Sequence, residues 1–243
     1  MPTEDTQNIV QNTVQRTVQQ FTLMQLADSF FPSGSYTLSH GLESLVQAGR
    51  IKQSEDVETF IRLLLCNKVG STDLVALAHT HRASTTFDLE KISEIDARLF
   101  AQTPIEKTRM AQRQSGRALL MVANKTWPHP QLEDLSQRTA NGQINCLHPV
   151  VFAVVAQVAG LDEQAAMIAF VHGFVTGLLG AAIRLGAVGH LQAQQIRLGL
   201  SEEMAQVCKE AGELSLDEMW SCTPLIDIAQ MRQATLSRRL FAS

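Results

Sequence analysis

The stretch Met167-Ile168-Ala169-Phe170-Val171-His172-Gly173-Phe174-Val175-Thr176-Gly177-Leu178-Leu179-Gly180-Ala181-Ala182-Ile183 runs for seventeen residues without a formal charge before Arg184 ends it. As an α-helix it would be about 26 Å long, short of the roughly 30 Å hydrocarbon layer of a bilayer. It also carries His172 and the glycines Gly173, Gly177 and Gly180. The stretch predicts the buried central helix of an all-α fold, with a membrane span as the alternative. Asp162, just upstream, is placed to cap it.

Outward from this segment, helical spacing recurs. Leu38, Leu42, Leu45 and Val46 form one stripe, and Val57, Phe60, Ile61, Leu64 and Leu65 another; Leu89, Ile92, Ile95 and Leu99 follow Asp88, a candidate N-cap. Alternating polar and apolar runs are nearly absent. Thr103-Pro104-Ile105-Glu106 has capping-box spacing with proline at the first helical position, predicting a helix from Pro104 to Lys125. Pro149 can open a helix that Gly160 closes, and Thr223-Pro224 can start a last one running to the C-terminus. Breaks at Phe31-Pro32-Ser33-Gly34, at Trp127-Pro128-His129-Pro130 and at Gly186 and Gly189 are too short for interdomain linkers. The expectation is one all-α domain of about ten helices over residues 21–243. Residues 1–20 read as a polar tail, in which Val10, Val14 and Val18 could at most make a marginal amphipathic helix.

A chain of 243 residues and 26.7 kDa can bury near 70% of its unfolded surface, so a sizeable core needs no staples. A net charge of −4 and a pI near 6.0 give no global attraction for phosphate backbones or anionic lipid, which argues against nucleic-acid and membrane partners. The first twenty residues lack the apolar core of a secretory signal. Cys66, Cys146, Cys208 and Cys222 are scattered, with no C-x-x-C pair, so the expected compartment is the cytoplasm.

No residues nominate a reaction. The G-x-x-x-x-G-K-[ST] loop, the dinucleotide glycine fingerprint and the G-x-S-x-G elbow are all missing from the sequence. His79 and His81 would diverge by about 200° on a helix. Cys146 and His148 offer two ligands where a stable site needs more. The expectation is therefore a non-enzyme with no catalytic residue, resident metal or cofactor.

The informative features are surfaces. Gly173, Gly177 and Gly180 stand at i, i+4 and i+7, with Arg184 at nearly the same azimuth, which predicts close helix packing inside the fold. Arg184 itself must find an acidic partner or reach water. Arg109, Arg113 and Arg117 form a basic stripe, either solvated or docked on an acidic protein. Residues 224–243 place Arg232, Arg238 and Arg239 among Met231, Leu236, Leu240 and Phe241, a basic amphipathic tail suited to a protein groove and able to order on binding.

Phe21-Thr22-Leu23-Met24-Gln25-Leu26-Ala27-Asp28, followed by Phe31-Pro32-Ser33-Gly34-Ser35-Tyr36-Thr37-Leu38-Ser39-His40-Gly41-Leu42-Glu43, resembles the opening signature of the urease accessory protein UreF family. The likeness continues through Glu106 to Leu120, His148-Pro149-Val150-Val151-Phe152, His172-Gly173-Phe174-Val175 and Arg184-Leu185-Gly186. It closes with Thr223-Pro224-Leu225-Ile226-Asp227-Ile228-Ala229-Gln230-Met231-Arg232 and Arg239-Leu240-Phe241, so it covers nearly the whole chain from Phe21. Ser237 and Ala242 depart from the family pattern.

The resemblance implies an all-α cytosolic homodimer without a catalytic centre, bridging the accessory protein UreD (also called UreH) and the GTPase UreG in the complex that activates apo-urease. Nickel delivery would be the outcome, powered by GTP on UreG. It implies a partner-binding patch at Pro32, Gly34, Ser35, Tyr36, Ser39, Gly41 and Glu43, with Arg184, Arg232 and Arg239 as basic contacts and the tail ordering when UreD binds. An alternative within the same resemblance is a GTPase-activating regulator of UreG, with Arg184 or Arg239 as an arginine finger.

Overall fold

The computed structural model describes residues 4–28, 31–32, 38–233 and 240–241, with side chains from residue 13 to residue 232 and at 240–241. The chain forms α1 (Glu4–Ala27), α2 (Leu42–Gln47) and α3 (Ser54–Leu64), which runs without a break through a π-helical segment (Leu65–Asp73) into α4 (Leu74–Thr85). Then come α5 (Leu89–Ala101), α6 (Glu106–Thr126), α7 (Pro130–Ala140), α8 (His148–Val158), α9 (Glu163–Arg184), α10 (His190–Gly199) and α11 (Ser201–Glu213). A 3-10 turn (Leu216–Glu218) leads to α12 (Pro224–Gln233). No strand occurs among the described residues, and the all-α class is the one the spacing predicts.

Several helix ends follow from the expected residues. The Asp88 carboxylate accepts the Lys91 N–H at 2.9 Å, and that of Asp162 accepts the Ala165 N–H at 2.7 Å. Pro149 stands in the first turn of α8, and Gly160, with φ of +85°, turns the chain out after it. Two boundaries differ. The Thr103 hydroxyl donates back to the Leu99 carbonyl at 2.9 Å, so it closes α5 and faces away from α6. α6 starts at Glu106 behind Ile105, which supplies no side-chain cap, and Pro104 precedes the helix. At the N-terminus, the expected polar tail is helical from Glu4 and continuous with the rest of α1.

The core is densest around α8, where Val150 to Ala156 are buried on every side against α4 and α6. Leu74 to Ala78 of α4 are as fully enclosed. α9 adds Val171, Val175, Leu178, Leu179, Ala181 and Ala182 from one side. By length and composition α9 could cross a membrane, but 56% of its apolar window is buried inside the protein.

The π-helical segment has a visible partner in its side chains. Its wider turn brings residues five apart together, and Lys68 Nζ meets Asp73 Oδ2 at 2.8 Å, both side chains nearly buried. Gln112 Nε2 donates to the other Asp73 oxygen at 3.4 Å. A buried ion pair needs such added hydrogen bonds to offset desolvation.

Among the described glycines, Gly116 of α6 has the least room for a side chain. Asp96 accepts the N–H groups of Asn145 at 2.6 Å and Leu147 at 2.9 Å, holding Cys146 in the left-handed region with φ of +65°. This presses the Cys146 carbonyl onto α6, where a Cβ at Gly116 would sit 2.0 Å from the oxygen. Gly116→Ala is expected to destabilise the protein by about 3 kcal/mol, read as a lower urea midpoint. A midpoint equal to wild type would contradict this packing.

Candidate partner-binding surface

Before α2 the chain takes two left-handed residues, His40 with φ of +51° and Gly41 with φ of +88°. Ser39 is buried, and its carbonyl accepts the Leu42 N–H at 2.9 Å. Gly41 is where α12 crosses, since a Cβ there would lie 3.1 Å from Gln230 Cγ and 3.2 Å from the Gln230 nitrogen. Both the backbone angle and the contact therefore call for glycine. Gln230 is fixed in turn by the Thr108 hydroxyl, which donates to its Oε1 at 2.5 Å.

Glu43, two residues on, is completely buried. Its Oε1 accepts the Leu240 N–H at 2.7 Å and its Oε2 the Phe241 N–H at 3.3 Å. Gln47 Nε2 also donates to Oε1, at 3.4 Å. Phe241 is 6% exposed, and the Arg184 guanidinium lies 4.6 Å from its ring centroid. At the last turn of α9 the half-exposed Arg184 thus covers an aromatic face.

Of the predicted partner-binding residues, Ser39, Gly41, Glu43 and Arg184 thus come together with the end of the chain. Arg232 is exposed in the last turn of α12, and Pro32 is exposed beside Phe31, which stacks on Trp127 at 6.1 Å. Gly34, Ser35, Tyr36 and Arg239 lie outside the described residues. Gln230 was not singled out for this role by sequence spacing, although it stands in the closing segment of the family signature; Phe241 was read as part of the groove-seeking tail and lies buried against this chain's own Arg184.

The glycine stripe has little against it among the described residues. A Cβ at Gly177 or Gly180 would meet nothing within 4 Å, and Gly173 has only the Ala27 carbonyl, at 3.9 Å. Among the described residues no neighbouring helix backbone closes on Gly177 or Gly180, and α1 reaches the stripe at Gly173. Val14, Val18, Phe21 and Met24 of α1 are also exposed, Phe21 by 68%. The basic stripe is split: Arg109 stacks on Phe100 at 4.8 Å, Arg113 is half-buried near Asp96, and Arg117 is exposed.

A cavity of about 90 Å³ lies behind the surface, walled by Leu119, Phe152, Phe170 and Phe174 among others, with His40, Asp73, Gln112 and His148 among its polar lining. Burial, with smaller contributions from the charges of Lys68 and His148, pushes His40 down to about 3. Burial alone pushes His148 down to about 4. Both rings are neutral at pH 7. His79 and His81 bond different carbonyls, those of Leu214 and Leu161, each at 2.9 Å. Among the described residues no three His, Cys, Asp or Glu side chains converge on one point.

Because both cavity histidines bind protons less readily folded than unfolded, stability is expected to fall as pH drops below about 6.5. The loss should continue towards the folded values, with a slope approaching about 1.4 kcal/mol per pH unit for each histidine. Urea titrations between pH 7 and pH 4 measure it, and His148→Gln should flatten the dependence. A pH-independent midpoint over that window would contradict two neutral imidazoles lining the cavity.

A family model described as UreF matches residues 51–201. The urease accessory protein UreF of Trichodesmium erythraeum is 53% identical over 225 residues, covering 93% of this chain and 97% of that protein. The urease accessory protein UreF of Xanthobacter autotrophicus is 32% identical over 213 residues, covering 88% and 86% respectively. With the family match spanning more than half of the chain and relatives aligned along almost all of it, the chain belongs to the UreF family of urease accessory proteins.

Proposed function

We propose that this chain is a cytoplasmic scaffold with no reaction of its own. It holds UreD and UreG together as a homodimer at the centre of the complex that activates apo-urease, where GTP turnover by UreG drives nickel delivery. The observation that carries this reading is the convergence of Gly41 and Glu43, Arg184, and Phe241, from three distant parts of the sequence, beneath one face of the protein. Beside it, Leu225, Ile228 and Met231 of α12 are exposed, and a groove of about 510 Å³ opens between α2, α3 and α12. Leu45, Phe60, Leu63 and Ile228 line that groove, with Arg50 and Arg232 among its polar residues. We assign the groove and tail to UreD and the Arg184 side to UreG. Seating Arg184 on Phe241 favours a scaffold over an arginine finger, which has to swing freely into a partner's phosphate site.

Co-expression with UreD and UreG tests this. The wild-type chain is expected to elute with both. Glu43→Ala removes the acceptor for the N–H groups of Leu240 and Phe241 and should lower affinity at least about tenfold, the equivalent of one lost buried hydrogen-bonding group. A three-protein peak unchanged by Glu43→Ala, from a variant with wild-type circular dichroism, would contradict the proposal.

For the dimer, support comes from the open glycine trench of α9 beside the apolar, charge-poor outer face of α1. Small residues let a second backbone approach, and the exposed Phe21 and Met24 supply area to bury. Gly177→Leu is expected to fold normally, since among the described residues no atom lies within 4 Å of a Cβ there, yet to sediment as a monomer. A stable dimer, or a variant that fails to fold, would contradict this assignment of the face.

A further inference from the structure

Cys66 and Cys222 are distant in sequence and both exposed. The fold lays their backbones side by side. The Cys222 N–H donates to the carbonyl of Asn67, the residue after Cys66, at 3.0 Å, and the Trp220 N–H donates to the Ser71 carbonyl at 3.2 Å. The Ser71 and Thr72 hydroxyls both donate to the Trp220 carbonyl at 2.6 Å. Residues 220–222 therefore run antiparallel along the outside of the π-helical segment. They cover four helical residues, about 6 Å of axis, in two steps, a span that needs extended chain.

The side on which each thiol lies follows from the neighbours. Ser221 and Thr223 line the same small cavity as Lys68. Side chains alternate along extended chain, so Cys222 faces away from Lys68. Residues two apart on a helix point to opposite flanks, so Cys66 also lies away from Lys68. Both thiols therefore occupy the solvent-facing flank of one short contact between the helix and the segment leading into α12.

We propose that Cys66 and Cys222 are a reversible redox pair, forming a disulfide by exchange with a low-molecular-weight disulfide such as oxidised glutathione. The thiolate of one cysteine attacks a sulfur of the small disulfide, whose S–S bond breaks and releases one small thiol. The second cysteine's thiolate then attacks the protein sulfur of the mixed disulfide and releases the other. Each protein thiol's proton ends on a departing small thiol; the two cysteines lose two electrons and the small disulfide gains them. Cys146 and Cys208 do not compete, since both are buried and burial pushes each thiol up to about 11. The bond would staple the residues just before α12 to the π-helical segment, fixing the helix whose exposed face is assigned above to UreD. That consequence rests on the scaffold reading, while the chemistry of the pair does not.

Reduced full-length protein incubated with oxidised glutathione, then analysed as intact mass and as a non-reducing proteolytic map, tests the proposal. The wild-type chain is expected to lose two hydrogens, to give one peptide pair joining Cys66 to Cys222 and to unfold at a higher temperature than its reduced form. Cys66→Ser and Cys222→Ser should each carry a single glutathione adduct instead. Wild-type protein that takes up two glutathiones, keeps both thiols free for alkylation, or links only to other chains would overturn the proposal.

Discussion

A buried carboxylate cannot be left without donors, and Glu43 is completely buried. The N–H groups that answer it include those of Leu240 and Phe241, nearly two hundred residues away. Much of the surface described above depends on that need. Gly41 has no Cβ, so α12 can cross just before Glu43, and the captured end of the chain sets Phe241 under Arg184 at the end of α9. A charge that would destabilise the fold if unpaired instead ties the first signature of the sequence to the last.

The helices were legible because their cause is local. Apolar residues at helical spacing need a common side, and Asp88, Asp162 and Pro149 act within one turn of themselves. Thr103 shows the limit of that reasoning. Its spacing to Glu106 suits a cap, but the same hydroxyl reaches the preceding helix, and sequence spacing does not rank the two partners. In α1, helix-capable residues with few apolar positions read as a tail.

What stayed hidden depends on contacts between distant segments. The glycines of α9 looked like packing residues because their periodicity is regular, yet two of them meet no atom among the described residues within 4 Å of a Cβ, whereas Gly116 is pressed against a carbonyl from the loop before α8. Regular spacing reports that a face exists; which element covers it is a tertiary fact. The site divided in the same way. Gly41, Glu43 and Arg184 could be named from the family signature, but their meeting point could not, since Gln230 and Phe241 complete it through the path of α12 and the last residues. The π-helical segment was also unreadable: Leu65–Asp73 is rich in weak helix formers such as Asn67, Gly70, Ser71 and Thr72, which does not specify a wider turn, and the five-residue spacing of Lys68 and Asp73 matters only once both are buried.

On the scaffold reading proposed above, the protein acts through the faces it offers, and its polar interior serves to hold those faces in place. Hydrogen-exchange mass spectrometry of the chain alone and with UreD and UreG is the most direct test. New protection should concentrate in α2, the last turns of α9, α12 and the end of the chain. Protection confined to α5 and α7, with the Glu43 region exchanging as it does in the free chain, would contradict the account.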